Sequence, residues 1–188
     1  MKSDKTKIRR KFLLLRKAKY SKKKFFNFSL IFKLIRKHFS TRKIKIACYH
    51  PSNYEVNISN FTEKAMKKNF KIALPVIGTR NTMSFRSWKL NEPLNVNQFG
   101  ILEPKKTNKK IIPDLILVPL VAFDKRLNRI GYGGGYYDRI LKKIKKNKRK
   151  AVSLGIAYSY QECNNVPINK YDFKLDYIFT ERGIISSN

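Results

Sequence analysis

Cysteine, acidic residues and long apolar runs are all scarce in this chain of 188 residues. The two cysteines, Cys48 and Cys163, cannot build a disulfide framework and show no metal-binding spacing. We therefore expect a reducing, cytoplasmic compartment. No apolar run reaches the roughly 18–20 residues that a membrane-spanning helix needs, so we expect no membrane partner.

Acidic residues number 12 against 43 lysines and arginines, which gives a net charge of +31. Such a surplus is typical of proteins that bind a polyanion, so a nucleic-acid-binding protein is one interpretation. The basic residues are spread along the chain, however, and we interpret most of them as a solvated coat. We predict one α/β domain over residues 1–188, present as a monomer and without a nucleic-acid partner.

Half of the eight glycines lie within five positions, at residues 131–135, which we call the glycine loop. A near-continuous apolar run over residues 115–123, interrupted by Pro119, precedes it and predicts a central strand covered on both faces. A polar turn follows at residues 124–128. A helical pattern starts directly after the loop, with Ile140, Leu141 and Ile144 on one side.

Glycines at a helix start let the backbone approach a ligand and point its N–H groups inward. The partial positive charge of the helix N-terminus then favours an anion, most often phosphate. Arg129 before the loop can supply a counter-charge, and Asp138 after it can supply an oxygen ligand for Mg²⁺. No Gly-Lys-Ser/Thr follows, so this is not a Walker A loop, and Tyr136 replaces the third small residue of the dinucleotide fingerprint.

The segment DLILVPLVAFD followed by RIGYGGGYYDR resembles the signature of the 5-formyltetrahydrofolate cyclo-ligase family. The resemblance implies a three-layer α/β/α domain with a mainly parallel central sheet, which the alternation of strand and helix patterns supports independently. It also implies ATP-dependent cyclisation of 5-formyltetrahydrofolate to 5,10-methenyltetrahydrofolate, with ATP as co-substrate and Mg²⁺ as cofactor. Two alternatives stay open, a nucleic-acid-binding basic protein and an ATP-dependent enzyme of this fold with another acceptor.

The N-terminal helix predicted over residues 4–19 carries Lys5, Arg9 and Arg16 on one stripe beside its apolar face. The spacing matches the family's N-terminal pattern, and the resemblance implies that Lys5 and Arg9 contact the phosphates of ATP. It assigns catalysis to Arg129 and Tyr136. The full set implied for ATP is Lys5, Arg9, Arg129, Ile130, Gly131, Tyr132, Gly133, Gly134, Gly135, Tyr136 and Tyr137.

On the folate side, the resemblance implies contacts from His50 and Glu55, which follow the first predicted strand. A carboxylate at Glu55 is a natural acceptor for the N–H edge of a pterin. For Mg²⁺ the resemblance implies Asp138 and Asp176, with Asp172 as the alternative to the second. The implied substrate-binding set is His50, Glu55, Tyr132, Gly133, Gly134, Gly135 and Tyr136.

The remaining patterns predict the elements that hold this site. Helices are expected over residues 23–39 and 60–69, and strands over 44–49, 71–77, 83–88 and 151–157. Met83, Phe85 and Trp88 suit either the core or a wall of the folate pocket. Glu103, in a turn that resembles the family's, is expected near the substrate or metal.

Overall fold

An eight-stranded sheet forms the centre of the molecule in a computed structural model that describes residues 2–21, 24–40, 43–147 and 150–187. The helices are α1 (Lys2–Lys19), α2 (Ser29–Phe39), α3 (Ser59–Lys67) and α4 (Tyr136–Lys146). The strands are β1 (Lys45–Ala47), β2 (Lys71–Ile77), β3 (Met83–Ser87), β4 (Asn95–Val96), β5 (Leu102–Glu103), β6 (Lys110–Ile111), β7 (Leu115–Pro119), β8 (Ala122–Phe123), β9 (Arg129–Ile130), β10 (Val152–Ile156), β11 (Tyr177–Thr180) and β12 (Gly183–Ser186).

The strands of the large sheet follow the order β12-β11-β10-β7-β1-β2-β3-β6. The five strands from β11 to β2 are parallel, and antiparallel strands flank them on both sides. From β1 the chain passes through α3 to β2 on one side, and it later returns to β7 on the other side. The order therefore reverses between β1 and β7, and ligands of such sheets bind at the carboxyl ends of the strands beside this point.

Strand β7 explains why both faces of the sheet are covered. Its side chains alternate between the faces, so Leu115 and Leu117 join a cluster with α2 and α3, whereas Ile116 and Val118 join a cluster with α4. All four are fully or almost fully buried. The prediction of an α/β fold with a mainly parallel central sheet is confirmed.

The apolar run over residues 115–123 was expected to form one strand, and that expectation is wrong. Strand β7 ends at Pro119, which lacks the N–H group that a longer ladder would need. Residues 122–123 instead pair with β9 as a separate hairpin. This hairpin packs against Phe12 of α1 through Val121, Ala122 and Ile130, and it carries the glycine loop toward that helix.

Other boundaries differ more modestly from the predictions. The second helix begins at Ser29 rather than at residue 23, with Phe25 exposed and Phe26 buried; residues 22 and 23 lie outside the described residues. The β4–β5 hairpin and the edge strands β6 and β12 were not predicted. Among the residues that the structure describes, no helix combines the length and apolar character required to cross a membrane.

Candidate active site

The glycine loop joins β9 to the first turn of α4, at the carboxyl end of the parallel sheet. Gly133 and Gly135 have φ angles of 107° and 65°, a left-handed region that residues with a Cβ rarely adopt. Gly135 is the N-cap of α4, and no side chain caps the helix there. Main-chain amides at such an uncapped helix start can bind an anion, and the predicted phosphate role of the loop stays a prediction.

Arg9 and Lys5 of α1 face the loop and the segment beside it. The Nε of Arg9 donates a hydrogen bond of 2.8 Å to the carbonyl oxygen of Gly131. Its guanidinium carbon lies 3.5 Å from the place that a Cβ on Gly133 would occupy. Lys5 forms an ion pair with Asp172. The i, i+4 spacing thus places Arg9 on the glycine loop and Lys5 on Asp172, each more than 100 residues away in sequence.

A buried carboxylate occupies the other side of the loop. Glu55 is 7% exposed, and its Oε2 accepts a hydrogen bond of 2.9 Å from the main-chain N–H of Ser52. Its Oε1 accepts one of 2.7 Å from the hydroxyl of Tyr132. Arg16 donates to the same hydroxyl through one terminal nitrogen and to the carbonyl oxygen of Leu120 at 3.3 Å through the other.

Burial raises the pKa of Glu55 above its ordinary value, although the Ser52 amide, the Tyr132 hydroxyl and the charge of Arg16 all favour the ionised form. Burial, together with the charge of Glu55, also raises the pKa of Tyr132, so this hydroxyl stays protonated and donates. The sequence placed Arg16 on the correct stripe of α1 but gave it no contact of its own. Its contacts depend on where Tyr132 lies in three dimensions.

Arg129 and Asp138, predicted to serve phosphate and Mg²⁺ respectively, form an ion pair with each other. One terminal nitrogen of Arg129 lies 2.8 Å from Oδ1 of Asp138, and the other donates to the carbonyl oxygen of Phe173 at 2.8 Å. Arg129 is 8% exposed. Both ends of its guanidinium are thus engaged with the protein, and its predicted catalytic role stays a prediction.

The two aspartates predicted for Mg²⁺ are not brought together. Oδ2 of Asp176 accepts hydrogen bonds from the main-chain N–H and the hydroxyl of Ser153, at 2.9 and 2.7 Å. Ser153 lies near the start of β10 and Asp176 directly precedes β11, so this pair sits at the amino end of the parallel strands. The glycine loop lies at the opposite, carboxyl end of these strands. The placement therefore disfavours Asp176 as a partner for Asp138.

The alternative carboxylate, Asp172, lies on the correct side. It pairs with Lys5, and the main-chain N–H of the next residue, Phe173, donates to Oδ1 of Asp138 at 3.0 Å. No group of three or more His, Cys, Asp or Glu side chains in the described parts of the chain could hold a metal alone. Mg²⁺ at phosphate sites usually takes one or two carboxylates together with the phosphates. Asp138 and Asp172 are candidates for that role, although Asp138 is paired with Arg129, and Asp172 with Lys5 and the Asn169 N–H.

A groove of about 1000 Å³ opens beside Tyr136. The turn between β2 and β3 and the β4–β5 hairpin form its walls. The Tyr136 ring meets Phe99 of that hairpin edge-on at 6.4 Å, and its hydroxyl lies 3.4 Å from the side-chain oxygen of Asn81. Arg139 fixes the loop to the same turn, donating to the carbonyl oxygens of Asn81 and Gly134 at 2.8 and 2.7 Å.

Several other predicted site residues have mainly structural surroundings. Glu103 lines the groove but is buried, where it accepts from the Ile77 N–H at 3.0 Å. Ile130 and Tyr137 pack into the core, and the buried Tyr137 hydroxyl has no hydrogen-bond partner. His50 is half-buried after β1. Among the three residues predicted as either core or pocket wall, Met83, Phe85 and Trp88 all pack against the core clusters.

The glycine loop, with Arg9 bound to it, and the buried carboxylate of Glu55 thus meet at Tyr132, beside the point where the strand order reverses. This is the position at which doubly wound α/β enzymes bind their ligands. The sequence model of the 5-formyltetrahydrofolate cyclo-ligase family matches residues 1–181. The chain belongs to this family.

Individual relatives agree with the family match. The 5-formyltetrahydrofolate cyclo-ligase of Haemophilus influenzae is 34% identical over 136 residues, which cover 69% of this chain and 72% of that protein. The solved structure of 5,10-methenyltetrahydrofolate synthetase from Aquifex aeolicus has a TM-score of 0.75 at 30% identity, covering 97% of this chain and 92% of that one. The synthetase from Mycoplasma pneumoniae gives 0.72 at 26% identity, covering 95% and 99%.

Proposed function

We propose that this protein catalyses the ATP-dependent cyclisation of 5-formyltetrahydrofolate to 5,10-methenyltetrahydrofolate, with release of ADP and phosphate. Family membership supports this activity. The observation that carries it at the level of residues is the convergence of the Arg9-bound glycine loop and the buried Glu55 on Tyr132. A nucleotide phosphate on the loop and a pterin at Glu55 would then be joined through this one side chain.

The chemical problem explains why both ligands are needed. The formyl group on N5 is amide-like, so its carbon is a poor electrophile and its oxygen a poor leaving group. Transfer of the terminal phosphoryl group of ATP to the formyl oxygen breaks the bond to ADP and activates the carbon. N10 then attacks that carbon, loses its proton, and expels the oxygen as phosphate. Positioning and charge neutralisation are sufficient for such a transfer, and no protein nucleophile is needed.

The residues of the crevice divide this work. The main-chain amides of the glycine loop and the first turn of α4 hold the phosphates, and Arg9 and Lys5 neutralise them. Glu55 accepts from the N–H edge of the pterin, and Tyr132 and Tyr136 border its formyl end. Phosphate would compete with Asp172 for Lys5, so nucleotide binding would leave that carboxylate held by the main-chain N–H of Asn169 at 2.6 Å.

Asp138 and Asp172 would then hold Mg²⁺ together with the phosphates of ATP. The ion would supply positive charge at the phosphates. We expect Asp172→Asn to raise the Mg²⁺ concentration needed for half-maximal activity at least about 10-fold, because one of two protein ligands is lost. A Mg²⁺ titration of the cyclisation rate measures this.

Asp176→Asn is the matched control for that prediction. It disturbs the contacts with Ser153 at the amino ends of the parallel strands. We therefore expect it to lower the stability by about 1–3 kcal/mol and to leave the Mg²⁺ requirement unchanged. The reverse pattern, with Asp176→Asn shifting the requirement and Asp172→Asn not, would return the metal site to Asp176.

One assay tests the proposed reaction against its two alternatives. Purified protein is mixed with Mg-ATP and 5-formyltetrahydrofolate, and the methenyl chromophore is followed. We expect it to appear in step with ADP. ATP hydrolysis without the chromophore would favour a different acceptor. Absence of both, with tight oligonucleotide binding that weakens steeply with salt, would favour the nucleic-acid-binding alternative.

We further propose that the protein acts as a cytoplasmic monomer without a nucleic-acid partner. The lysines and arginines occur along the whole chain, which supports the last point. Light scattering of the purified protein tests the oligomeric state.

A further inference from the structure

Three polar side chains from distant parts of the sequence form one continuous chain of hydrogen bonds. Arg16 of α1 donates to the Tyr132 hydroxyl, which donates to Oε1 of Glu55 at 2.7 Å. The Arg16 guanidinium also lies over the Tyr132 ring, 5.4 Å from its centre. The middle member belongs to the glycine loop, and the last is the carboxylate assigned above to the pterin.

Arg16, at one end of this series of hydrogen bonds, is held in place by the protein, and its burial is energetically unfavourable. Arg16 is 1% exposed, although an isolated buried cation is strongly unfavourable. Its Nε is buried and has no hydrogen-bond partner among the residues that the structure describes. The terminal nitrogens hold the carbonyl oxygen of Leu120, just after β7, and the Tyr132 hydroxyl. A desolvated arginine with an unused donor is hard to justify by stability alone.

We propose that the Tyr132 hydroxyl is a positioning group that couples the nucleotide and folate sites, so that occupation of either site tightens binding at the other. This inference rests on the proposed function for its two ligands. It adds a specific connection between them.

The position of Tyr132 in the loop supports the direction of the coupling. Its neighbour Gly131 is bonded to Arg9, and its other neighbour, Gly133, holds a left-handed φ of 107° beside the Arg9 guanidinium. A phosphate bound to the loop amides would restrict the backbone on both sides of Tyr132. The hydroxyl would then hold Glu55 in one orientation, so a pterin that binds next loses less conformational entropy.

The carboxylate remains able to accept the pterin in this arrangement. Oε1 of Glu55 accepts from the Tyr132 hydroxyl at 2.7 Å, and Oε2 accepts from both the N–H and the hydroxyl of Ser52, at 2.9 and 3.4 Å. A carboxylate has about four lone-pair sites, so acceptor capacity is left on Oε1, the oxygen that Tyr132 orients. The Tyr132 contact orients Glu55 without blocking it, which is what positive coupling requires.

The test compares the wild type with Tyr132→Phe, which removes one oxygen atom and keeps the ring. Calorimetry gives the Kd of 5-formyltetrahydrofolate with and without a saturating, non-hydrolysable ATP analogue and Mg²⁺. For the wild type we expect the analogue to lower the folate Kd about 5-fold or more. For Tyr132→Phe we expect less than about a 2-fold change. The reciprocal titration must give the same factor, since coupling is mutual.

Tyr177→Phe is the matched control, because it also removes a hydrogen-bonded hydroxyl, which lies 2.9 Å from Nε2 of His38. Tyr177 is the first residue of β11, at the end of the strands opposite to the glycine loop. This variant should keep the wild-type factor. A wild-type factor near 1, or an unchanged factor in Tyr132→Phe, would overturn the coupling even if the wild type turns over. A wild type that binds neither ligand and forms no methenyl product would instead overturn the proposed function and the coupling with it.

Discussion

Valine in place of Gly133 is expected to lower the rate of ATP-dependent cyclisation by about 1000-fold or more while the protein stays folded. Gly133 holds a φ of 107°, which a β-branched residue strongly disfavours. A Cβ there would lie 3.5 Å from the Arg9 guanidinium carbon, so the rest of the valine side chain would displace Arg9. The main-chain N–H groups of the loop would then no longer point toward the phosphate. Arg9, the cation nearest to the loop, would also be moved away. Methenyl formation and the Kd of an ATP analogue measure the loss.

Gly183→Val is the control for backbone strain. Gly183 has a φ of 133°, and a Cβ there meets no atom within 4 Å. It is the first residue of β12, an edge strand of the sheet, and pairs with Thr180 of β11. This variant should lose about 1–3 kcal/mol of stability and keep its activity per folded molecule. Near wild-type cyclisation by a folded Gly133→Val protein would rule out the loop as the phosphate cradle.

The parts of this site that could be predicted from sequence are those set by local geometry. The clustered glycines before a helical pattern determine where backbone N–H groups are free. The i, i+4 spacing of Lys5 and Arg9 determines that both face the same way from α1. The alternating burial along residues 115–118 follows from strand geometry once the run is recognised as a strand. None of these inferences requires knowledge of the tertiary structure.

Contacts between distant segments could not be predicted in the same way. Tyr132 is 116 residues from Arg16 and 77 from Glu55, so nothing in the local sequence of any of them reveals the hydrogen bonds. The sequence also does not show which of Asp172 and Asp176 lies near Asp138, for a related reason. Both lie before β11, and only the path of the backbone determines that one reaches Lys5 and the other Ser153.

Pro119 shows a third limit of the sequence. Apolar residues continue on both sides of it, so hydrophobicity alone extends the strand to residue 123. The chain instead leaves the large sheet and forms the β8–β9 hairpin against α1. Since β9 leads into the glycine loop, this turn is what brings the loop and Arg9 together.

Glutamine in place of Glu55 is expected to raise the KM for 5-formyltetrahydrofolate about 100-fold, because hydrogen bonds from the pterin to a carboxylate are lost or weakened. The same variant should be at least as stable as the wild type at pH 7–8. Burial raises the pKa of Glu55, so its ionised form is less favourable in the folded than in the unfolded protein. The contribution of Glu55 to folding stability is therefore present below the unfolded pKa and is lost as pH rises through the folded pKa. Glutamine cannot ionise, so the variant does not lose this stability at high pH.

The effects of Glu55→Gln on folate binding and on stability are separated by measuring kcat/KM and the free energy of unfolding as a function of pH. The wild type should lose kcat/KM on the acid side as Glu55 takes up a proton, with that limb above the ordinary glutamate pKa of 4.5. The variant should lack this limb. The charged or titratable groups that act on Glu55 are Arg16, Tyr49, Tyr132 and Tyr137.

Glu181→Gln provides the opposite case. Burial opposes ionisation of Glu181, but hydrogen bonds from Ser159 and Lys24 outweigh it and lower the pKa. Its stability is therefore present above the unfolded pKa and is lost as pH falls through the folded pKa. We expect Glu181→Gln to melt below the wild type at pH 7, with a difference that narrows in acid, and to keep its KM. If Glu55→Gln instead lost stability at pH 7 and kept its KM, then Glu55 would be a structural carboxylate like Glu181, and the pterin would need another acceptor.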